Sequence, residues 1–155
     1  MPRVKIGDII EIPTSKGLAY AHYTHQHPTH GGLIRVFDQL FESRPTDLKG
    51  LINQPVRFST FFPLRIAVSR NMFKVVGHED IALPNQTFPI FRGANEGPKA
   101  TKVSVWWLWD GEKEWRYEGP LTPEFYKLPI DGVWNAEYLV HRIEEGWRPE
   151  NDPRR

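Results

Sequence analysis

Four histidines lie close together in the chain and could bind a metal ion. They are His22, His25, His27 and His30, in the pattern His-x2-His-x-His-x2-His. Zinc or copper accepts imidazole ligands at such spacing. Pro28, Gly31 and Gly32 instead favour a flexible loop, and no acid lies within the segment. We therefore expect no metal site. His25, His27 and His30 are the candidates if there is one, and a small metal-dependent hydrolase is the alternative function that they would support.

Four carboxylates between residues 110 and 118 form a second group that could do chemistry. They belong to Asp110, Glu112, Glu114 and Glu118. Glu112 and Glu114 share a face of an extended strand and could act as an acid–base pair, but such charges more often solvate an exposed hairpin. The chain has no cysteine and no Gly-x-Ser-x-Gly motif. We expect no catalytic residue, no cofactor and no enzyme activity.

Tryptophan is concentrated beside these acids. All six tryptophans lie between residues 106 and 147, and three of them fall in the run 106–109. The step Asp110-Gly111 between two β-prone runs predicts a two-residue hairpin loop, with Trp109 facing Glu112. Because side chains alternate between the faces of a strand, one face would join the core and the other would form a contact surface. Trp107 and Trp109 are the candidates for exposure, whereas Trp115, Trp134 and Trp147 are expected in the core.

A long segment before the hairpin is the other candidate contact region. Residues 82–100 contain several prolines and glycines and show no periodicity, which predicts a loop. Loops of this length in compact domains are often functional. The predicted partner-binding residues of the hairpin and this loop are Trp107, Trp109, Asp110, Glu112, Glu114, Phe91 and Arg92.

The remaining patterns predict the elements that position these residues. Alternating apolar residues predict strands over 4–12, 18–25, 33–37 and 56–62, and two β-prone runs at 65–69 and 72–76 predict a second hairpin. Thr122 and Pro123 begin a short helical turn, and Asn135 and Gly146 bound a helix over 134–145. Residues 1–147 are expected to form one domain and 148–155 a flexible tail.

These elements predict an α+β fold. It consists of a bent, mostly antiparallel sheet of six to eight short strands, with a C-terminal α-helix packed on one side. A partly open β-barrel is the nearest competing arrangement.

Charge and composition limit the class of partner. The net charge of +1 gives no general basic field for nucleic acid. Residues 1–100 hold 12 Lys/Arg against 8 Asp/Glu, whereas residues 101–155 hold 8 against 11, so the aromatic part would suit a basic partner and repel a phosphate backbone.

No apolar stretch is long enough to cross a bilayer, and no signal-peptide pattern is present, so we expect a cytoplasmic protein without a membrane partner. The oligomeric state is left open.

Several segments together resemble the immunity protein 26 family of bacterial polymorphic toxin systems. They are residues 6–13 (IGDIIEIP), 17–21 (GLAYA), 73–78 (FKVVGH), 107–111 (WLWDG), 121–124 (LTPE) and 128–129 (LP). The resemblance spans residues 5–147, with departures in the histidine-rich segment 22–30 and at Phe73, where a tryptophan is expected. It implies an α+β cytoplasmic protein that binds and neutralises a cognate toxin domain without catalysis. A β-rich adaptor that captures an extended peptide at a sheet edge is a further alternative.

Overall fold

The computed structural model describes residues 3–96 and 100–155, which form two antiparallel sheets. The first sheet has the order β4-β3-β2-β1-β5 and consists of β1 (Asp8–Thr14), β2 (Gly17–His27), β3 (Gly31–Phe37), β4 (Val56–Phe62) and β5 (Lys74–His78). The second has the order β6-β7-β8 and consists of β6 (Phe91–Gly93), β7 (Trp107–Trp109) and β8 (Glu114–Arg116). The predicted α+β class is therefore confirmed, and the sheets do not close into a barrel.

Within the described residues, four helices and two 3-10 turns complete the fold. The helices are α1 (Leu64–Ser69), α2 (Leu83–Gln86), α3 (Pro123–Tyr126) and α4 (Ala136–Glu144), and the 3-10 turns span Lys49–Asn53 and Pro149–Asn151. No helix among the residues that the structure describes is long and apolar enough to cross a membrane.

Helix α4 begins and ends where local chemistry predicts. The Asn135 side chain accepts a hydrogen bond from the Tyr138 amide at 2.8 Å. At the other end Gly146 has φ +71°, and the amide of Trp147 donates to the Arg142 carbonyl at 3.0 Å, which completes a Schellman motif. Leu139 is fully buried against the first sheet, as the predicted packing requires.

The predicted hairpin over 65–76 is wrong in its first half, because residues 64–69 form helix α1. Leu64, Ala67 and Val68 are buried, whereas Arg65 and Ile66 are exposed. The spacing i, i+3, i+4 of these buried positions is helical, although the β-branched residues favoured a strand.

Residues 148–155, predicted to be a flexible tail, contact the rest of the domain in this structure. The carbonyl of Pro149 accepts a hydrogen bond from Arg92 at 2.7 Å, and Asp152 is buried. Arg155 exchanges backbone hydrogen bonds with the segment before β7, donating to Thr101 and accepting from Val103. Through these bonds, residues 148–155 provide carbonyl acceptors for a buried guanidinium and for the backbone of the segment before β7.

Candidate functional site at the tryptophan hairpin

Strands β7 and β8 form the predicted hairpin, but with a longer loop. Trp109 pairs with Glu114 and Trp107 pairs with Arg116, so residues 110–113 make a four-residue loop. The predicted loop of Asp110 and Gly111 alone is therefore wrong, and so is the pairing of Trp109 with Glu112; within the wider turn, the Asp110 amide donates to the Lys113 carbonyl at 3.2 Å. The physical reason is the Asp110 side chain, which closes a wider turn than the Asp-Gly step alone would make.

Asp110 organises this turn through its carboxylate. Its Oδ1 atom accepts hydrogen bonds from the amides of Glu112 at 2.9 Å and Lys113 at 2.8 Å. These backbone donors hold the pKa of Asp110 below its ordinary value. Gly111 has φ +98°, which favours glycine at that position. Asp110 thus shapes the turn, and its contact with a partner stays a prediction.

The hairpin side chains differ in exposure according to the face they occupy. Trp106 is buried, Trp107 and Trp109 are half-buried, and Glu112 and Glu114 are exposed. Trp115 is 38% exposed, so its predicted core position is wrong. Its strand β8 is the edge of the second sheet, and all three of its residues are exposed.

Phe91 and Arg92 must be corrected as partner-binding candidates, because both side chains are fully buried. They lie in β6, which pairs with β7, so part of the predicted loop over 82–100 is a strand; residues 97–99 lie outside the described residues. The Phe91 ring stacks on Phe61 at 5.1 Å, and the Arg92 guanidinium lies 4.6 Å from the ring centre of Trp106 on the opposite face.

The histidine-rich segment contacts the hairpin, a juxtaposition that the sequence did not predict. His27 donates from Nε2 to the Gly111 carbonyl at 2.8 Å. The His30 ring stacks on Trp109 with centroids 4.5 Å apart and an interplanar angle of 30°. Two of the four histidines thus fix the hairpin against the first sheet.

The other two histidines form hydrogen bonds to backbone carbonyls outside the hairpin. His22 donates from Nε2 to the carbonyls of Gly7 at 2.9 Å and Glu79 at 3.0 Å, and His25 donates to the carbonyl of Gln86 at 2.8 Å. Burial lowers the pKa of both imidazoles. Across residues 3–96 and 100–155, no three side chains of His, Asp or Glu are grouped so that they could hold a metal ion.

Asp131 is a site residue that the sequence reasoning missed. Its Oδ1 lies 3.6 Å from Nε2 of His30, and 34% of its side-chain surface is exposed. Removal of water from its carboxylate raises the pKa of Asp131, and the nearby His30 opposes that effect. The available signal was the Asp131-Gly132 step, which has the same turn chemistry as Asp110-Gly111.

Asp131 and the hairpin enclose a small niche. Its volume is about 90 Å³, and it is lined by Gly93, Ala94, Asn95, Trp107, Trp109, Glu114 and Asp131. We call this cavity the hairpin niche. It brings two predicted tryptophans and one predicted acid together with a carboxylate from a different part of the chain.

Comparisons with protein-family models, curated proteins and solved structures give no match to this chain.

Proposed function

We propose that the protein is an immunity protein, which binds and neutralises a cognate bacterial toxin domain by protein–protein contact and catalyses no reaction itself. The resemblance to the immunity protein 26 family suggests the class of partner. The contact would be made by the hairpin surface, which we define as Trp107, Trp109, Glu112, Glu114 and Trp115.

The observation that carries the proposal is the combination of exposed acids and accessible indoles on this surface. Glu112 and Glu114 are exposed, and Trp115 exposes 38% of its surface. Tryptophan is enriched among the residues that dominate interface energies. Exposed acids attract a basic partner and accelerate its association. A toxin domain with a basic surface therefore fits this hairpin, whereas a phosphate backbone would be repelled.

The hairpin surface is also held in one conformation before a partner arrives. The Asp110 carboxylate fixes the turn, and the bond from His27 to Gly111 ties the turn to β2. A preorganised surface loses less conformational entropy on binding. We place this activity in the cytoplasm, in keeping with the same resemblance.

The test is co-expression of the protein with the toxin domain encoded by the neighbouring reading frame in a bacterial host. We expect growth to be protected and the two purified proteins to form a stable complex in size-exclusion chromatography. The double variant Glu112→Lys/Glu114→Lys should bind at least about tenfold more weakly, since it replaces attraction by repulsion.

Glu42→Lys is the control for charge reversal outside the hairpin. Glu42 is an exposed acid, and its neighbour Phe41 pairs with Leu18 near the opposite end of β2 from His27. Growth arrest despite co-expression would refute the immunity function. Equal affinity for the hairpin double variant and the control would remove the hairpin from the interface.

A further inference from the structure

Two kinds of residue line the hairpin niche, and both kinds attract positively charged groups. Trp107 and Trp109 line it, and so do the acidic residues Glu114 and Asp131. Indole faces attract cations through their quadrupole, and carboxylates attract them by charge and hydrogen bonding. Both features therefore favour a positively charged occupant.

The carboxylates of the niche are poorly neutralised by the protein itself. Among the residues that the structure describes, Glu114 has no ion-pair partner within 4.0 Å. Arg116, which shares its face, lies 3.9 Å from Glu118 instead. Within the described part of the chain, Asp131 has one ion-pair contact, to His30 at 3.6 Å, which carries charge only when the imidazole is protonated. His27 is a second imidazole close enough to act on its carboxylate.

The size of the niche limits what can enter. A volume of about 90 Å³ is far below the roughly 300–1,000 Å³ of ordinary small-molecule sites. About three water molecules occupy the same volume in liquid water. This space suits the end of one side chain and excludes a nucleotide, a sugar or a larger cofactor.

We propose that the hairpin niche binds the side-chain cation of a lysine or arginine on the partner. The inference deepens the proposed function, on which it depends for the partner's identity, by naming the group that the partner inserts. Trp107 and Trp109 contact the alkyl stem and the cation, while Glu114 and Asp131 accept its hydrogen bonds. A basic residue at the centre of the partner's interface would then be its anchor.

The binding chemistry can be tested on the protein alone with small probes. We would titrate n-butylguanidinium and n-butylammonium, with the neutral n-butylurea as control, and follow the indole N–H signals by NMR. We expect the signals of Trp107 and Trp109 to shift with either cation but not with the urea. The signal of Trp115, an exposed indole outside the niche, serves as an internal reference.

Isosteric variants assign the effect to the two carboxylates. Glu114→Gln and Asp131→Asn remove charge with little change of shape, and together they should weaken cation binding at least about tenfold. Glu112→Gln is the matched control, because Glu112 is also exposed on the hairpin but does not line the niche. Shifts that are equal for cation and urea, or unchanged in the double variant, would overturn the inference.

The outcomes separate this inference from the proposed function. If the toxin complex forms but Glu114→Gln/Asp131→Asn leaves its affinity unchanged, the niche inference fails and the immunity function stands. If no toxin complex forms but the cations bind with the expected dependence on Glu114 and Asp131, the immunity function fails and the cation site stands.

Discussion

The buried imidazole of His22 makes stability depend on pH. It lies in the core, it donates from Nε2 to two carbonyls, and its Nδ1 has no partner among the described residues. Protonation would place a second N–H in this buried position with no acceptor among those residues, so the charged form is disfavoured. Burial accordingly lowers the pKa of His22 below its ordinary value of 6.5.

The sign of the pH effect follows from this shift. Between the lowered folded-state pKa and 6.5, the unfolded chain binds more protons than the folded protein. The free energy of unfolding therefore falls as the pH falls below about 6.5, by at most about 1.4 kcal/mol per pH unit for one proton. We expect His22→Gln, which retains a donor but cannot titrate, to show a smaller fall between pH 7.5 and pH 5.5 in urea unfolding. An equal fall in both proteins would contradict this assignment.

The prediction that Arg92 contacts a partner was based on residue type alone, and the structure corrects it. Charged residues are almost always exposed, so an arginine in a long irregular segment was assigned to a partner surface. In the fold it is fully buried, and burial lowers the pKa of Arg92 to about 10. The carbonyls of Tyr126 and Pro149 accept its hydrogen bonds. These acceptors come from distant segments, and no local sequence pattern around Arg92 predicts them.

At the scale of elements, the hairpin tryptophans Trp109 and Trp115 have very different surroundings. The Trp109 ring has its centre within 6 Å of those of five other rings, which belong to His27, His30, Phe61, Phe88 and Phe91. Trp115 lies on the opposite face of the sheet at its exposed edge. The two tryptophans should therefore contribute very differently to stability.

We expect Trp109→Ala to lower the free energy of unfolding by about 3 kcal/mol, because it leaves a cavity between the two sheets. Trp115→Ala, the matched control, should cost less than about 1 kcal/mol. Urea unfolding of both variants at neutral pH measures the difference. A larger loss for Trp115→Ala would show that the anchoring role has been assigned to the wrong ring.

Elements defined by local chemistry were predictable from the sequence, and elements defined by tertiary pairing were not. The caps at Thr122, Asn135 and Gly146 were found because each acts within a few residues of itself. Strand β6 was missed because its three residues become a strand only by pairing with β7. The meeting of His30, Trp109 and Asp131 was missed for the same reason, since it joins three separate segments.

At the scale of the whole molecule, a short segment before α4 connects the two sheets. Ile130 bridges Arg92 in β6, and Val133 bridges Phe61 in β4, both in parallel orientation. Asp131 lies between these bridges, so the segment that joins the sheets also supplies a wall of the hairpin niche. The geometry of the niche is therefore set by how the sheets pack.

The uneven charge distribution leads to a prediction about association. Residues 101–155 carry 11 acids against 8 bases, and Glu112 and Glu114 are exposed in this acidic part. The association rate constant with a basic toxin domain should fall as ionic strength rises from about 0.05 M to about 0.5 M, because salt screens the attraction.

Glu112→Lys/Glu114→Lys should associate at least about tenfold more slowly at low salt and show a much weaker salt dependence. Its rate should approach that of the unmodified protein at high salt, whereas Glu42→Lys should follow the unmodified protein more closely throughout. Stopped-flow measurement of tryptophan fluorescence provides these rates. Parallel salt dependences for the hairpin variant and the unmodified protein would show that these acids do not steer the partner, whichever surface finally contacts it.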